Sequence, residues 1–406
     1  MLSNGRLFPI FHAMKTIVLK AGKEASVRRF HPWVFSGAIQ SIPPGLEDGE
    51  AVEVQDQNGN TLGVGHFQDG SIKVRLFAFA RQAVDASFWA GKLRAAHDYR
   101  RQLGLDANPQ TNAFRLVHAE GDGLPGLILD LYGAVAVLQC HSIGMHRERL
   151  QLVEALRTIL GERLQAVFDK SRNSLPARYA RQVENGYLYG AAELPLPVLE
   201  NGHQFLVDWE KGQKTGFFLD QRENRELLSR YAAGKRMLNA FSYSGGFSVY
   251  ALAAGAREVD SVDVSKDALA LAGENVRLNL GQAAAHQTHA VDVSRFLREN
   301  DRPYELMVVD PPAFAKTRGK RHQAVQGYKR LNALALKRMA PGGILFTFSC
   351  SQVVDETLFY NTLVAAALEA RRQVRVMHRL NQGPDHPVRI HHPEGAYLKG
   401  LVLYVE

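Results

Sequence analysis

The sequence predicts an α/β protein whose C-terminal half is a doubly wound, mostly parallel sheet. Three observations point there. Met237–Val264 reads as strand, small-residue turn, helix and second strand. Strands and helices then alternate to the end of the chain, and four of the strands finish in polar or reactive residues: Asp263, Asp292, Asp310 and Cys350. Ligands of open α/β sheets bind beyond the carboxyl ends of the strands. The four residues therefore mark one edge as the working edge.

Composition frames the rest. The chain has 406 residues, enough for two or three domains, with 46% hydrophobic and 22% charged residues, as in soluble globular proteins. No apolar run is long enough to span a bilayer. Residues 1–14 carry a single Arg and a proline-broken apolar patch, a poor signal peptide, and read as a flexible extension with Met14 as an alternative start. The two cysteines, Cys140 and Cys350, lie far apart and fit free thiols in a cytoplasmic protein. Of the net charge of +8, +6 falls in residues 201–406 and +2 in residues 1–82. Such a field attracts polyanions, nucleic acid above all.

Residues 15–82 read as short strands at 15–20, 50–56, 61–67 and 72–79, with Gln57-Asn58-Gly59-Asn60 as a hairpin turn. Among them lies a basic and aromatic stretch, Arg28-Arg29-Phe30-His31-Pro32-Trp33-Val34-Phe35-Ser36-Gly37. Phe35 is assigned to the core. Arg28, Arg29 and His31 are assigned to an exposed face that meets a nucleic-acid backbone. The stretch His31–Gly37 resembles that of a PUA domain, a small β-barrel that binds structured RNA.

Residues 84–195 read as a separate small α/β domain. It has helices at 87–103 and 145–160, strands at 114–118, 166–170 and 186–190, and a strand pair turning at Gly133. Glu120 and Asp122, in the glycine-rich loop after the first strand, are either a ligand site or, more commonly, a turn held by local hydrogen bonds. Cys140 fits a buried small hydrophobe. No metal-ligand pattern is assigned anywhere in the chain.

The third domain, 196–406, opens with a hairpin turning at Asn201-Gly202. In Thr215-Gly216-Phe217-Phe218-Leu219-Asp220-Gln221-Arg222-Glu223, Asp220 and Glu223 have the spacing of a capping box. Gln221 and Arg222 are placed at the mouth of a cofactor site. The turn Phe241-Ser242-Tyr243-Ser244-Gly245-Gly246 is not G-x-G-x-x-G, so it lacks the fingerprint for pyrophosphate. It suits a nucleoside cofactor without phosphate, S-adenosylmethionine, with the glycines letting backbone approach the ligand. Asp263, with Val264 beside it, would accept both ribose hydroxyls. Asp292 would accept the adenine amino group, with Val293 against the ring. Seven strands, the last two a hairpin, make the class I methyltransferase arrangement of the Rossmann-like folds.

Asp310-Pro311-Pro312-Ala313-Phe314 is the sharpest motif. A residue before proline is forced out of the helical region, and two prolines remove two N–H groups and leave carbonyl acceptors facing the pocket. Those acceptors suit an exocyclic amine, and Phe314 suits stacking on a flipped base. Cys350 points elsewhere. Cytosine C5 is a poor nucleophile until a thiolate adds to C6 and turns the ring into an enamine, with Asp310 stabilising the ring protonated at N3. The basic run Lys316-Thr317-Arg318-Gly319-Lys320-Arg321 is placed on RNA phosphates, with Tyr328 and Lys329 lining the same channel.

With Thr215–Arg222, Glu120–Gly126, Asp310–Phe314 and Phe348–Ser351 in view, the chain resembles, nearly end to end, the bacterial 23S rRNA cytosine-C5 methyltransferases with a PUA domain. That resemblance implies Cys350 as nucleophile, Asp310 as its partner, Asp263 and Asp292 on S-adenosylmethionine, and 23S rRNA or a large-subunit assembly intermediate as partner. A homodimer is compatible with it. Better-known RNA C5 methyltransferases carry a second cysteine where this chain has Ala313. A base-amino or guanine RNA methyltransferase on the same scaffold, and a non-catalytic ribosome-assembly factor, stay open at this point.

Overall fold

The computed structural model describes residues 14–282, 284–315 and 317–406. Apart from Met14, the expected extension lies outside the described residues. The chain divides into two compact units. One takes in the chain up to Leu103, with Arg115–Ala192 and Pro387–Pro393; the other takes in Gly104–Phe114, Glu193–His386 and Glu394–Glu406.

The first unit opens with β1 (Lys15–Leu19), α1 (Ala25–Arg28), β2 (Trp33–Phe35), β3 (Ile39–Ser41), β4 (Ala51–Gln55), β5 (Thr61–Phe67) and β6 (Ile72–Ala78), in sheet order β2-β6-β5-β4-β1-β3. Alternate residues of each strand face inward, and Ile17, Leu19, Val34, Val52, Val54, Val74 and Leu76 form the core. The same alternation corrects one expectation. β2 pairs with β6 through Val34 and Val74. Val34 is therefore the core residue, and Phe35, expected inside, is 46% exposed. Arg28 and Arg29 are exposed as expected, although Arg28 already pairs with Asp56 at 2.7 Å. His31 is half-buried rather than exposed, with its Nδ1 accepting from the Trp33 N–H at 3.2 Å.

A five-stranded sheet follows, in order β11-β10-β9-β8-β7, from β7 (Ala113–His118), β8 (Leu127–Tyr132), β9 (Val135–Cys140), β10 (Ala166–Asp169) and β11 (Gly186–Tyr189). Its helices are α2 (Ala86–Gln102), α3 (Ile143–Arg147), α4 (Arg149–Leu160) and α5 (Ala177–Ala180). The single helix expected at 145–160 is thus two, the first capped by the Ser142 hydroxyl. Asp122 accepts from the buried Arg100 guanidinium at 2.9 Å and from the His118 N–H, and Glu120 accepts from the Trp33 indole at 2.8 Å. That loop serves folding. Cys140 is fully buried.

The second unit has the hairpin β12 (Leu196–Glu200) and β13 (His203–Val207), then α6 (Arg222–Ser229), β14 (Arg236–Ala240), α7 (Gly246–Ala253), β15 (Glu258–Asp263), α8 (Lys266–Leu280), β16 (His286–Ala290), α9 (Val293–Glu299), β17 (Tyr304–Val309), α10 (Arg321–Arg338), β18 (Met339–Ser349), α11 (Glu356–Ala370), β19 (Val374–Leu380) and β20 (Lys399–Val405). The sheet order is β16-β15-β14-β17-β18-β20-β19, parallel except for β20, which runs antiparallel between β18 and β19. This is the class I methyltransferase topology. The chain reverses direction across the sheet at β14, so the ends of β14 and β17 open side by side.

Two local expectations fail here. β18 begins at Met339 and runs, with a register shift opposite Tyr304–Leu306, through Pro341-Gly342-Gly343, residues whose own composition reads as a loop after a helix. Asp220 does not cap α6, which has no side-chain cap; its Oδ2 instead accepts from the Tyr397 hydroxyl at 2.6 Å. Arg225, on the next turn, forms a doubly hydrogen-bonded pair with Glu200, both contacts 2.7 Å and both residues buried.

Candidate active site

The parallel register Val309–Thr347 between β17 and β18 carries Asp310 and Cys350 past neighbouring strand ends. Cys350 is half-buried, and its Sγ lies 4.0 Å from the carbonyl oxygen of Pro311. The first proline of the motif thus turns an acceptor toward the thiol. Burial pushes the Cys350 thiol up to about 11, with the Asp310 and Asp220 charges adding to it and Lys214 opposing. Burial likewise pushes Asp310 up to about 7, helped by Asp220 and opposed by a hydrogen bond from Gln221 and the charge of Arg225. The acid's charge thus helps to keep the thiol protonated.

Gln221, expected at the cofactor mouth, is a direct partner of Asp310, its Nε2 donating to Oδ2 at 2.9 Å. Arg222 is not at that mouth. It is buried at 2% exposure, and its guanidinium clamps Asp385 at 3.0 Å. Burial works against its charge, and the carboxylates of Asp385, Glu200 and Glu223 outweigh that. Of Thr215–Phe218, Phe217 packs in the core on Phe205, and Phe218 reaches the cofactor turn, its ring 5.2 Å from Tyr243.

That turn runs from β14 into α7. Phe241 and Tyr243 hold positive φ values of 62° and 45°, strained for side chains with a Cβ. The Tyr243 N–H donates to Oδ2 of Asp263 and the Ser265 N–H to its Oδ1, both at 3.0 Å, fixing the carboxylate at the end of β15. The Tyr243 hydroxyl bonds to the Gly216 carbonyl at 3.1 Å, away from the turn. The glycines also serve packing. A Cβ on Gly245 would meet the Ala272 Cβ of α8 at 2.8 Å, and one on Gly246 would meet the Arg225 side chain at 3.0 Å. Here glycine lets elements pack closely. Ser244 is buried, its carbonyl accepting from Asn275 at 2.8 Å.

The residues of this turn fit S-adenosylmethionine. The Ser242 hydroxyl is buried with no hydrogen-bond partner among the described residues, and it sits in the turn whose next N–H anchors Asp263. An orphaned hydroxyl beside a fixed carboxylate is what a ribose or an amino-acid tail satisfies. Val264 is 71% exposed at the end of β15. Asp292 is exposed and caps α9, its Oδ1 accepting from the Arg295 N–H at 2.8 Å, while Val293 is buried.

On the substrate side, Pro311 is buried, Pro312 exposed and Phe314 38% exposed. The Phe314 ring lies 4.6 Å from that of Tyr328. Tyr328 is fully buried and so backs Phe314 rather than lining a channel; burial pushes its phenol up to about 12. Lys329 points from α10 to Glu369 of α11 at 2.9 Å, away from where it was expected. Lys316 lies outside the described residues. Arg318 and Lys320 are exposed on a short 3-10 turn, and Arg321 is exposed as the first residue of α10.

Sequence reasoning missed three residues here. Asp220 had been assigned to a cap, and Tyr397, its hydroxyl partner, carried no signal. Lys399 donates to the Ser351 and Tyr397 carbonyls at 2.8 and 2.6 Å, a buried cation near Cys350. A lysine on an apolar β-strand gives no local sign of this.

A family model described as S-adenosylmethionine-dependent methyltransferase matches residues 124–403, and one described as a PUA-like domain matches residues 17–79. Among curated relatives, the ribosomal RNA large subunit methyltransferase I of Aeromonas hydrophila subsp. hydrophila is 39% identical over 395 residues, covering 96% of this chain and 98% of that one. The protein of the same name from Erwinia tasmaniensis is 38% identical, covering 96% and 99%. Among solved structures, one described as a SAM-dependent methyltransferase from Streptococcus mutans superposes with a TM-score of 0.82 at 22% identity, over 96% of this chain and all of that one. A methyltransferase complexed with SAH gives 0.83, also at 22% identity. These two likenesses concern the fold.

Proposed function

Because the chain belongs to the S-adenosylmethionine-dependent methyltransferase family, with a PUA-like N-terminal domain, we propose that it methylates large-subunit (23S) ribosomal RNA at a cytosine C5. The observation that carries this reading is the placement of Cys350 and Asp310 on adjacent strand ends, the thiol half-buried and coupled to the acid. An exocyclic amine needs no such thiol; C5 does.

The proton on sulfur passes to Asp310 and from there to N3 of the cytosine as Sγ bonds to C6. The bound cofactor supplies an electrophilic methyl group, which the C5 carbon of the resulting enamine takes. Water takes the C5 proton to bulk solvent as the C5–C6 double bond re-forms and the thiolate leaves, and the N3 proton returns through Asp310 to Sγ, so that one proton is released for each methyl group transferred. Asp310, raised to about 7, is a weaker base than the thiolate of Cys350, raised to about 11, so it takes the proton only as the Sγ–C6 bond forms and then passes it on to N3. Phe314 stacks on the flipped base, and Arg318, Lys320 and Arg321 meet phosphates beside it. Arg28, Arg29 and the half-buried His31 of the PUA-like domain meet RNA as well. A cytoplasmic location follows from such a substrate.

The test is nucleoside mass spectrometry of 23S RNA from cells lacking the gene, before and after incubation with the protein and S-adenosylmethionine. Gain of one 5-methylcytidine supports the reading; gain of a methylated purine, or of nothing, contradicts it.

A further inference from the structure

Asp310 has two carboxyl oxygens, and the structure distinguishes them. Oδ2 accepts from Nε2 of Gln221 at 2.9 Å. An amide side chain can present either its nitrogen or its oxygen, so something must fix which one faces the acid. That is Asn224, one turn along, whose Nδ2 donates to Oε1 of Gln221 at 2.6 Å and to the Asn381 carbonyl at 3.2 Å. A backbone carbonyl accepts only. It therefore orients Asn224 with nitrogen outward, and Asn224 in turn makes Gln221 show oxygen to itself and nitrogen to Asp310. Gln221 and Asn224 are both buried, at 3% exposure each.

We propose that Asn381, Asn224 and Gln221 form a polarised amide relay that occupies Oδ2 of Asp310 as an acceptor and so assigns Oδ1 as the oxygen that handles the proton at the base. Gln221 and Asn224 are then positioning residues for the reaction, acting through Asp310. The inference rests on the cytosine-C5 reading above. It explains why a glutamine buried beside a carboxylate shows it the amide nitrogen, and why the next residue in the relay is an asparagine closed by main chain. The charged and titratable groups around the acid are Asp220, Arg225, Cys350 and Tyr328. Asp220 is held from outside the relay by Tyr397, and one of its oxygens is buried with no hydrogen-bond partner among the described residues. Its negative charge opposes ionisation of Asp310, whereas the Gln221 N–H favours it.

The experiment compares wild type, Gln221→Leu and Asn224→Asp by pH profile of kcat, by S-adenosylmethionine Kd from calorimetry, and by the identity of the methylated nucleoside. Asn224→Asp is nearly isosteric, but its carboxylate only accepts, so it turns the Gln221 amide and sets oxygen against Oδ2. Both variants are expected to retain cofactor Kd within about twofold, to lose about 10²-fold in kcat at neutral pH, and to move the acid limb to higher pH than in wild type. Unmoved acid limbs with wild-type 5-methylcytidine formation would overturn the relay alone. A wild-type product other than 5-methylcytidine would overturn the relay together with the reading beneath it.

Discussion

The Cys350 thiol lies 4.0 Å from the Pro311 carbonyl, on the strand end next to the one that carries Asp310. Neither residue stands alone. The thiol is raised by its burial and then by the acid's charge, and the acid by its burial and the charge of Asp220. A pair arranged this way holds one proton over a wide pH range.

The pH dependence follows from that proton. Burial first, then neighbouring charge, pushes Asp310 up to about 7 and Cys350 up to about 11. Below the first value both groups are protonated and the sulfur has nowhere to send its proton; above the second both are empty and N3 receives none. Profiles of kcat/KM should rise through about pH 7, level off, and fall toward 11. A flat profile between pH 5.5 and 8.5 would contradict the coupling.

Replacing Cys350 with alanine removes the nucleophile and leaves the cofactor turn, on β14 and α7, untouched. Methyl transfer should fall by at least about 10³-fold while calorimetric affinity for S-adenosylmethionine stays within twofold. Transfer at the wild-type rate would eliminate the thiol route.

Gly245→Ala places a Cβ 2.8 Å from that of Ala272, on backbone with φ of +79°. The expected cost is about 1–3 kcal/mol of stability, with weaker cofactor binding as the turn shifts. Chemical denaturation together with calorimetry reads both. An unchanged midpoint and Kd would show that the turn gives way freely.

Glu200→Ala leaves Arg225 buried without its doubly bonded partner and removes the side-chain acceptor of the Tyr250 hydroxyl at 3.0 Å, leaving it the residue-200 carbonyl at 3.2 Å. Breaking a buried pair from one side costs about 3–5 kcal/mol. Urea unfolding should show a loss of that order, and a loss under 1 kcal/mol would mean the pair relaxes into solvent.

Much of this architecture was legible in the sequence, because period and punctuation are local. The strand ends at Asp263 and Asp310 and the Asn201-Gly202 turn all follow from neighbours within a few residues. What was illegible depends on distant partners. Asp220 and Glu223 satisfy the capping-box spacing, but a hydroxyl from Tyr397 claims Asp220. Arg222 looked like a ligand contact until Asp385, far along the chain, took it. Phe35 reads as core because three residues of strand do not fix which face is inward; the pairing of Val34 with Val74 does. Gln221 was placed near the cofactor, and only the fold shows that it serves the acid.

The most direct test uses large-subunit RNA carrying 5-fluorocytidine, whose C5 fluorine cannot leave as a proton does. With S-adenosylmethionine, the wild-type protein should form a methylated, denaturant-resistant protein–RNA adduct that maps by mass spectrometry to Cys350, and Cys350→Ala should form none. Turnover on the substituted RNA without an adduct, or an adduct at any other residue, would contradict attack by this thiol.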